Sequence, residues 1–524
     1  MSANGFFRRK RPACARPTAL TALACALALD LASDICPASA QAEAQAGATI
    51  LTIIVTRHGV RAMSPPPDSP APQYPWWPPW PPVEPDELTA HGYRLMRRMG
   101  EFYREAQRAK GLPVDCAAKT AYVYADVPPP PPSQPPPPSS QSKPPILDPA
   151  QRTLGTAHAL IEGLCGSSDS PGSPDALDVF HAADMASKDP VFDATDRVKI
   201  DLNASWDAVA KVAGDPSTIV RRHTAEFKTL QDLLNARCGK ANVRCALITE
   251  GVSEILPPKK QAALDGQVER AKLAALHGPL ATASAVSEDL FLEFAQCRPE
   301  KDMTKGLSDA RQLRTDLDAG MRLHVVAYDV NARNDPTYPY NASVRGGTLL
   351  ASIVALLDKK AGRPPHSRIR IPDDLLEGKT LVIFSGHDTQ LAALSGLLDA
   401  HWDRGDGIMH DDMPPGSALI FDLVKAPGDD RAYNIRLRFA SMARDQFRDE
   451  KRFEGPLTSV PYRGCSTGEC ALTDIEPLVD KLDAKGFVVL KDWNASSKPS
   501  PQFRGYASLA DPPWTERQCR GGGP

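Results

Sequence analysis

The feature that most constrains the fold is a short apolar run that ends abruptly in charge. Residues 48–56 read ATILTIIVT and are followed by RHGVR at residues 57–61. The run is continuous, rich in β-branched residues and too short for an amphipathic helix, so it predicts a buried strand of a parallel sheet. A second such run, KTLVIFSG at residues 379–386, ends in HDTQ. Ligand crevices of open α/β sheets lie at the carboxyl ends of strands, so both polar segments are expected at one crevice.

The rest of the chain predicts an α/β protein with an insertion. Residues 190–343 contain pieces with helical periodicity, such as AEFKTLQDLLNARC and SEDLFLEFAQC, and are interpreted as a mainly helical second domain. Residues 41–189 and 344–524 are then the two parts of one α/β domain. A helix over residues 344–361 is expected to pack back on the sheet, and its basic end suits a helix carboxyl terminus.

The first 40 residues differ in character from the remainder. Basic RRKR at residues 8–11 precedes an apolar stretch, and residues 38–40 read ASA, which is the pattern of a secretory signal peptide and its cleavage site. The alternative is a buried amino-terminal helix; Asp30 and Asp34 do not suit a helix that spans a membrane. We therefore expect a periplasmic or secreted protein that has no membrane contact after cleavage.

Charge limits the partners of such a protein. The whole chain carries a net charge of −3, and removal of residues 1–40 takes away five basic and two acidic residues, which leaves −6. A mildly acidic surface has no general attraction for nucleic acid or for anionic membranes. Any anion site must therefore be local and built from clustered cations. The sequence does not indicate an oligomeric state.

An even number of cysteines after residue 40 indicates disulfide bonds in an exported chain. They are Cys116, Cys165, Cys238, Cys245, Cys297, Cys465, Cys470 and Cys519. Spacing alone does not choose among the possible pairings. Zinc is the competing interpretation, but the closely spaced pairs lack C-x-x-C spacing and have no neighbouring histidine, so no metal is expected.

Two proline-rich segments interrupt the regular pattern. Residues 128–145, PPPPPSQPPPPSSQSKPP, predict a solvated polyproline II excursion, either a tolerated surface insertion or a ligand for aromatic grooves. Residues 72–92 interleave prolines with three tryptophans and a tyrosine. They are expected to form a stiff, partly buried loop beside the crevice, with plain packing of a long loop as the alternative.

Residues 148–165, DPAQRTLGTAHALIEGLC, predict a capped helix. Asp148 is the expected N-cap and Pro149 the first helical residue. Arg152 then lies in the first turn, at the positive end of the helix dipole. A cation is unfavourable there unless an anion shares the space.

The clustered cations predict a phosphate site. Arg57, Arg61 and Arg152 can surround a phosphate with bidentate donors. His58, between two of them, is the candidate nucleophile, because like-charge repulsion from the guanidiniums lowers its pKa and keeps it neutral in acid.

The second strand supplies the remaining chemistry. His387 is expected to donate to the phosphate oxygens that gain charge in the transition state. Asp388 is the expected general acid, because a carboxyl group with a reference pKa of about 4 is protonated at acidic pH. A helix N-cap is the other role open to Asp388. No metal or other cofactor is required.

Three motifs in order, RHGVR after a strand, QRT on a later helix and GHDT after a second strand, resemble those of the histidine acid phosphatases. The resemblance extends to the bacterial periplasmic phytases and glucose-1-phosphatases and spans nearly the whole chain after the signal peptide. It implies a phosphoglycerate mutase-like α/β fold, with a mostly parallel central sheet flanked by helices. It also implies a phosphomonoester substrate, a phosphohistidine at His58 and proton donation by Asp388.

The same resemblance implies further pairs and contacts. It suggests disulfides from Cys116 to Cys165, Cys238 to Cys245 and Cys465 to Cys470, which leaves Cys297 and Cys519 for each other. It also implies two substrate contacts. One is a pocket-wall aspartate, either Asp126 or Asp148, and the other is Glu288 from the helical domain.

The chain departs from the family pattern after the first motif. Met63 stands where relatives have the proline of RHGVRAP, and no Lys or Arg occurs between Arg61 and Arg94, where phytase-like members often place a lysine for further phosphates. Broad acid phosphatase activity is therefore favoured over a dedicated phytase or glucose-1-phosphatase. The alternative of another class is an exported binding protein that keeps the anion pocket, uses its Pro/Trp loops for recognition and has lost catalysis through Met63.

Overall fold

The apolar run at residues 48–56 forms a central strand of a mixed sheet in the computed structural model of the protein. The structure describes residues 47–63, 80–127, 151–166, 177–182, 188–238, 249, 251–256, 273–304, 309–429, 431–450, 453, 455, 457–493, 497–499, 509–515 and 519. Apart from Gly47, these residues belong to one unit, Ala48–Pro524.

Both strands predicted from sequence are present within one residue or two of their expected bounds. The strands are β1 Thr49–Arg57, β2 Ala121–Ala125, β3 Val179–Ala182, β4 Glu254–Leu256, β5 Ala275–His277, β6 Leu381–Gly386, β7 Ala418–Lys425, β8 Tyr433–Ala440, β9 Thr458–Ser459, β10 Glu469–Ala471 and β11 Ser497–Pro499.

Within the described residues, nine strands form one sheet in the order β10, β8, β7, β1, β6, β2, β3, β11, with β9 paired to β8. The contiguous strands β1, β6, β2 and β3 run parallel, whereas β7, β8 and the outer strands pair antiparallel. A separate antiparallel pair joins β4 to β5. The fold therefore has the predicted parallel centre and adds antiparallel strands on both sides of it.

Helices cover the sheet and fill the stretch between its two parts. They are α1 Ala90–Ala109, α2 Gln151–Cys165, α3 Leu202–Ala213, α4 Ile219–Arg222, α5 Thr224–Cys238, α6 Pro279–Ala295, α7 Glu300–Thr304, α8 Ala310–Tyr328, α9 Tyr340–Ala361, α10 Asp388–Leu398 and α11 Glu476–Ala484. The helix predicted over residues 344–361 is α9, which begins one turn earlier than expected.

Alternate side chains of the central strand enter two different hydrophobic layers. Leu51, Ile53 and Val55 of β1 belong to a cluster that includes α9 and α10, whereas Ile54 belongs to a cluster that includes α1 and α2. All four are at most 1% exposed. Burial on both faces explains why the run is continuously apolar, and each such side chain contributes about 1.5–3 kcal/mol.

A close backbone approach fixes the segment that follows β1. A Cβ atom at Gly92 would lie 2.0 Å from the carbonyl oxygen of Val60, so any larger residue would push α1 away from residues 57–61. Thr89 caps α1 by accepting a hydrogen bond from the Gly92 N–H. Its own N–H donates to the Val60 carbonyl at 3.1 Å, which ties the helix start to the RHGVR segment.

The predicted helical region has its own hydrophobic cluster. Helices α3, α5, α6 and α8 share buried side chains that include Val209, Leu234, Phe294 and Leu323. The helical content agrees with the periodicity seen in sequence, with β4 and β5 as additions. The domain boundaries at residues 190 and 343 stay a prediction.

Three of the four disulfides implied by the family resemblance are confirmed. They are Cys116–Cys165, Cys297–Cys519 and Cys465–Cys470. For the fourth expected pair, Cys245 lies outside the described residues. The Cys297–Cys519 bond spans 222 residues and ties the carboxyl-terminal segment to the chain that follows α6.

Several predictions concern residues outside the described ranges. The signal peptide at residues 1–40, the proline-rich segment 128–145 and residues 72–79 of the Pro/Trp loop are among them. The described part of that loop begins at Trp80, which is 2% exposed and packs edge-on against Trp514 at 5.9 Å between ring centres. Among the described residues, no helix is long and apolar enough to cross a bilayer.

Candidate active site

Strand register brings three polar segments to one edge of the sheet. Arg57 of β1 pairs with Gly386 of β6, and the His58 N–H donates to the Gly386 carbonyl at 2.8 Å. On the other side of β6, the Asp126 N–H donates to the Ser385 carbonyl at 2.8 Å. The residues that follow β1, β6 and β2 therefore emerge side by side, as expected at the carboxyl ends of parallel strands.

His58 is a buried imidazole whose hydrogen bond defines its tautomer. Its Nδ1 lies 2.9 Å from the carbonyl oxygen of Gly59. A carbonyl oxygen only accepts, so Nδ1 carries the proton and Nε2 keeps a lone pair. Burial lowers the pKa of His58 well below its usual value, and the positive charges of Arg152, Arg57 and Arg61 lower it further. The sequence predicted a neutral imidazole from the guanidiniums alone, whereas burial is the larger cause.

Arg57 is held by one carbonyl and two carboxylates. Its Nη1 donates to the Met413 carbonyl at 2.6 Å. Its Nη2 lies 2.9 Å from Asp388 Oδ2 and also contacts Glu288 Oε1. The residue is 1% exposed. These contacts fix the plane of a guanidinium that stands directly beside the imidazole of His58 in the chain.

Arg61 and Arg152 meet at a shared carboxylate. Arg61 Nη1 lies 3.3 Å from Asp86 Oδ1, and Arg152 Nη1 lies 3.7 Å from the same oxygen. Within the described residues, the buried Nε atoms of Arg57, Arg61 and Arg152 have no hydrogen-bond partner. Donors of this kind are what an incoming anion would satisfy.

Asp388 is the first residue of α10, and His387 is its N-cap, so the alternative role of Asp388 as the N-cap is wrong. Burial raises the pKa of the Asp388 carboxyl, but Arg57 and a hydrogen bond from Tyr328 outweigh burial and hold that pKa well below its usual range. Asp388 is thus a carboxylate in the free protein. The sequence placed the proton on Asp388 from the reference pKa of a carboxyl group, and these two partners move its pKa below that reference.

His387 lies between the nucleophile candidate and an aspartate. Its ring is edge-on to that of His58, with 5.3 Å between ring centres. Its Nε2 lies 3.4 Å from Asp126 Oδ2, and its backbone N–H donates to Gln390 Oε1 at 2.7 Å. Of the two aspartates left open by the sequence, Asp126 therefore lies at the site, and Asp148 lies outside the described residues.

Glu288 reaches the site from α6, in the helical region. Its Oε1 contacts Nη2 of Arg57 and lies 3.3 Å from Nη2 of Arg61. Burial raises the pKa of Glu288, but Arg61 and Arg57 outweigh it, and the net shift is downward. A carboxylate oxygen thus stands between two guanidiniums.

Met63, the departure from the family pattern, is a buried residue. It is 9% exposed and packs in the cluster that contains α1. Its carbonyl accepts a hydrogen bond from the Asp86 N–H at 3.2 Å, and the Ala62 N–H donates to the Glu87 carbonyl at 2.8 Å. The chain that leaves Arg61 therefore pairs with residues 86–88, which carries Asp86 to the arginines.

Sequence reasoning missed Asp86, Tyr328 and Met413. Asp86 stands in the Pro/Trp segment and Tyr328 ends a helix far from any motif, so neither has a local signal of a site. Met413 contributes only its backbone carbonyl, which no residue type reveals. One indication that such partners exist was present in the sequence. Guanidiniums buried at a strand end require compensating negative charge from elsewhere in the chain.

Groups that could ligate a metal ion lie elsewhere in the described parts of the chain. Three sets have ligand atoms that converge closely enough: His91 with Cys297 and Cys519, His401 with His410 and Asp411, and Asp358 with His366 and Glu476. In the first set both cysteines are in a disulfide. Around His58, by contrast, the charged groups include the guanidiniums of Arg57, Arg61 and Arg152.

Comparison with known proteins shows what the chain is similar to. No family model matches the chain. The chain is 26% identical over 450 residues to the phytase AppA of Escherichia coli, which covers 82% of this chain and 90% of that protein.

Solved structures of bacterial phytases share the fold. The Hafnia alvei phytase in complex with tartrate matches with a TM-score of 0.62 at 23% identity, over 83% of this chain and 96% of that one. The phytase from Citrobacter braakii matches with a TM-score of 0.61 at 22% identity, over 84% and 99% respectively. The ordered motifs, this fold and the similarity to the Escherichia coli protein support the resemblance of the chain to the histidine acid phosphatases.

Proposed function

We propose that this chain is an exported acid phosphatase that hydrolyses phosphomonoesters through a phosphohistidine at His58. The observation that carries the proposal is the tautomer of His58. Its Nδ1–H is committed to the Gly59 carbonyl at 2.9 Å, so the lone pair of Nε2 is available to an electrophile. Burial and surrounding cations lower the pKa of His58, so the lone pair persists in acid.

The arginines supply the binding energy for the phosphate. Arg57, Arg61 and Arg152 carry buried Nε–H donors that lack partners within the described residues, and His387 adds a donor on the side of Asp126. Each charge-assisted hydrogen bond is worth about 1.5–3 kcal/mol. A dianion in this position replaces the Glu288 carboxylate between Arg57 and Arg61.

The reaction then has two displacement steps. Nε2 of His58 attacks phosphorus as the P–O bond to the ester oxygen breaks, and the carboxyl of Asp388 gives its proton to the leaving alkoxide. Asp388, now ionised, takes a proton from a water molecule that attacks phosphorus. The N–P bond breaks, and inorganic phosphate leaves a neutral His58.

Substrate binding itself favours protonation of Asp388, the general acid. In the free protein, Arg57 and Tyr328 outweigh burial and hold the pKa of Asp388 low. A phosphate dianion adds negative charge beside Asp388 and engages Arg57, and both effects raise the pKa of that carboxyl. Proton uptake thus accompanies binding, which favours turnover at acidic pH.

For the substrate class we favour simple phosphomonoesters. Asp86 and Glu288 place two carboxylates against the arginines, and the sequence has no Lys or Arg between Arg61 and Arg94. The surroundings of the arginines therefore carry less positive charge with which to bind a ring that bears several phosphates. A dedicated phytase is the second candidate, because the Escherichia coli relative and the similar solved structures are phytases.

Turnover of p-nitrophenyl phosphate at about pH 5, where a carboxyl group begins to protonate once a bound phosphate has raised its pKa, tests the mechanism. We expect hydrolysis without added metal, acid-labile label on the protein after rapid quenching with ³²P-substrate, and loss of both in His58→Ala. His277→Ala, an exposed histidine on β5, is the matched control and should retain activity. Full activity in His58→Ala would refute the phosphohistidine.

Relative rates on three substrates decide between the substrate classes. Phytate, glucose 1-phosphate and p-nitrophenyl phosphate should be hydrolysed at comparable kcat/KM by a broad phosphatase, whereas a dedicated phytase would prefer phytate by orders of magnitude. Phosphate binding with no turnover of any of the three would instead identify an exported binding protein. Fractionation of expressing cells tests export, with cleavage expected after residue 40.

A further inference from the structure

A second cluster of ligand atoms lies at the opposite end of α10 from Asp388. His401 Nδ1 lies 2.6 Å from Asp411 Oδ2, and His410 Nδ1 lies 3.1 Å from the same oxygen. The two imidazoles are 55% and 59% exposed, while Asp411 is 5% exposed. The three ligand atoms lie within 4.8 Å of one another, so a small ion could reach all of them from solvent.

The groups around this cluster are arranged as outer partners of metal ligands. His401 Nε2 lies 3.4 Å from Asp399 Oδ1, so a carboxylate stands at the ring nitrogen opposite the one that faces Asp411. The other oxygen of Asp411 accepts the Trp402 N–H at 2.8 Å, which leaves Oδ2 directed at the histidines. Metal-bound histidines and carboxylates are oriented by partners of this kind.

Two residues of the cluster have left-handed backbone conformations. Asp399 and Asp411 have positive φ angles of 49° and 60°, and both residues contribute carboxylates to the cluster. Left-handed conformations at residues other than glycine are uncommon and are retained where the surrounding structure requires them. At Asp399 this conformation ends helix α10.

We infer that His401, His410 and Asp411 form a zinc site. Zinc binds imidazole nitrogen and carboxylate oxygen at about 2.0–2.2 Å, and tetrahedral ligands around it are about 3.3 Å apart. His410 Nδ1, at 3.1 Å from Asp411 Oδ2, is close to that spacing, whereas His401 Nδ1 forms a 2.6 Å hydrogen bond with the same oxygen, which a bound zinc ion would replace. Three protein ligands leave a fourth position for water. The inference is independent of the phosphatase mechanism, because none of its residues touches the His58 site.

The site would stabilise a loop that serves the active site. The Asp411 N–H donates to the Trp402 carbonyl at 3.0 Å, and Met413, two residues further on, gives its carbonyl to Arg57. Arg333 faces the cluster with Nη1 at 3.6 Å from Asp411 Oδ2, and Asp329 pairs with the same nitrogen at 2.9 Å. With Asp399 nearby, the net charge around the imidazoles remains negative, which suits a dication.

Zinc competition with a chromophoric chelator at pH 7.5 tests the site on the purified full chain. The wild type should bind one more equivalent of Zn²⁺ than the double variant His401→Ala/His410→Ala. Loss of an outer partner alone weakens metal binding by about 10- to 100-fold, so each single variant should lose at least about tenfold in affinity. His277→Ala is again the exposed-histidine control and should bind as the wild type does.

Further measurements distinguish a loss of zinc binding from a loss of folding in the variants. Zinc K-edge absorption of the wild type should show two imidazole ligands and oxygen, and Zn²⁺ should raise its Tm more than that of the double variant. Circular dichroism checks that the variants are folded, and p-nitrophenyl phosphate turnover in chelator should be the same in variant and wild type. Equal zinc stoichiometry and affinity in wild type and double variant, or a zinc spectrum without imidazole, would overturn the inference.

Discussion

Glu288 competes with substrate for the arginines, and its charge can be removed without changing its shape. Glu288→Gln keeps an oxygen at the position that contacts Nη2 of Arg57 and lies 3.3 Å from Nη2 of Arg61. A hydrogen bond to a charged group is worth about 1.5–3 kcal/mol and a neutral one about 0.5–1.5 kcal/mol. The substitution therefore weakens each contact by about 1 kcal/mol, or about 2 kcal/mol for both.

This weaker competitor should tighten phosphate binding. A difference of about 2 kcal/mol corresponds to about a 30-fold lower dissociation constant. Competitive inhibition of p-nitrophenyl phosphate turnover by inorganic phosphate measures it, and Glu254→Gln, an exposed glutamate on β4, is the matched control. An unchanged or higher inhibition constant in Glu288→Gln would show that Glu288 does not stand where the phosphate binds.

Three further changes test the surroundings of the site. Tyr328→Phe removes a hydrogen bond that lowers the pKa of Asp388, so that pKa should rise and the alkaline limb of the kcat–pH profile should move to higher pH; a shift to lower pH would contradict this role. Asp86→Asn removes the carboxylate shared by two arginines and should lower KM for phytate more than KM for p-nitrophenyl phosphate, whereas equal effects would exclude Asp86 as a determinant of specificity. Replacing Cys297 and Cys519 by serine opens a link across 222 residues and should lower the free energy of unfolding by about 2–5 kcal/mol; an unchanged denaturant midpoint would contradict it.

Local sequence determined the two strands that carry the RHGVR and GHDT motifs. The run at residues 48–56 is buried on both faces, so its hydrophobicity alone defines it as an inner strand, and the polar residues after it must lie at the sheet edge. The antiparallel strands β7 and β8 depend on pairing with partners distant in sequence. Their position beside β1 was not predictable from their own residues, because sheet pairing is a non-local property.

The sequence by itself thus determined which residues could bind and attack a phosphate, because residue type and distance from a strand end are local facts. Only the tertiary structure decided the pKa values of these residues and the charges that surround them. The low pKa of Asp388 depends on Arg57 from β1 and on Tyr328 from another helix. The charges of Arg57 and Arg61 are opposed by the carboxylates of Glu288 and Asp86 from other segments. Electrostatic energy depends on distance in space and on burial, and neither is fixed until the chain has folded.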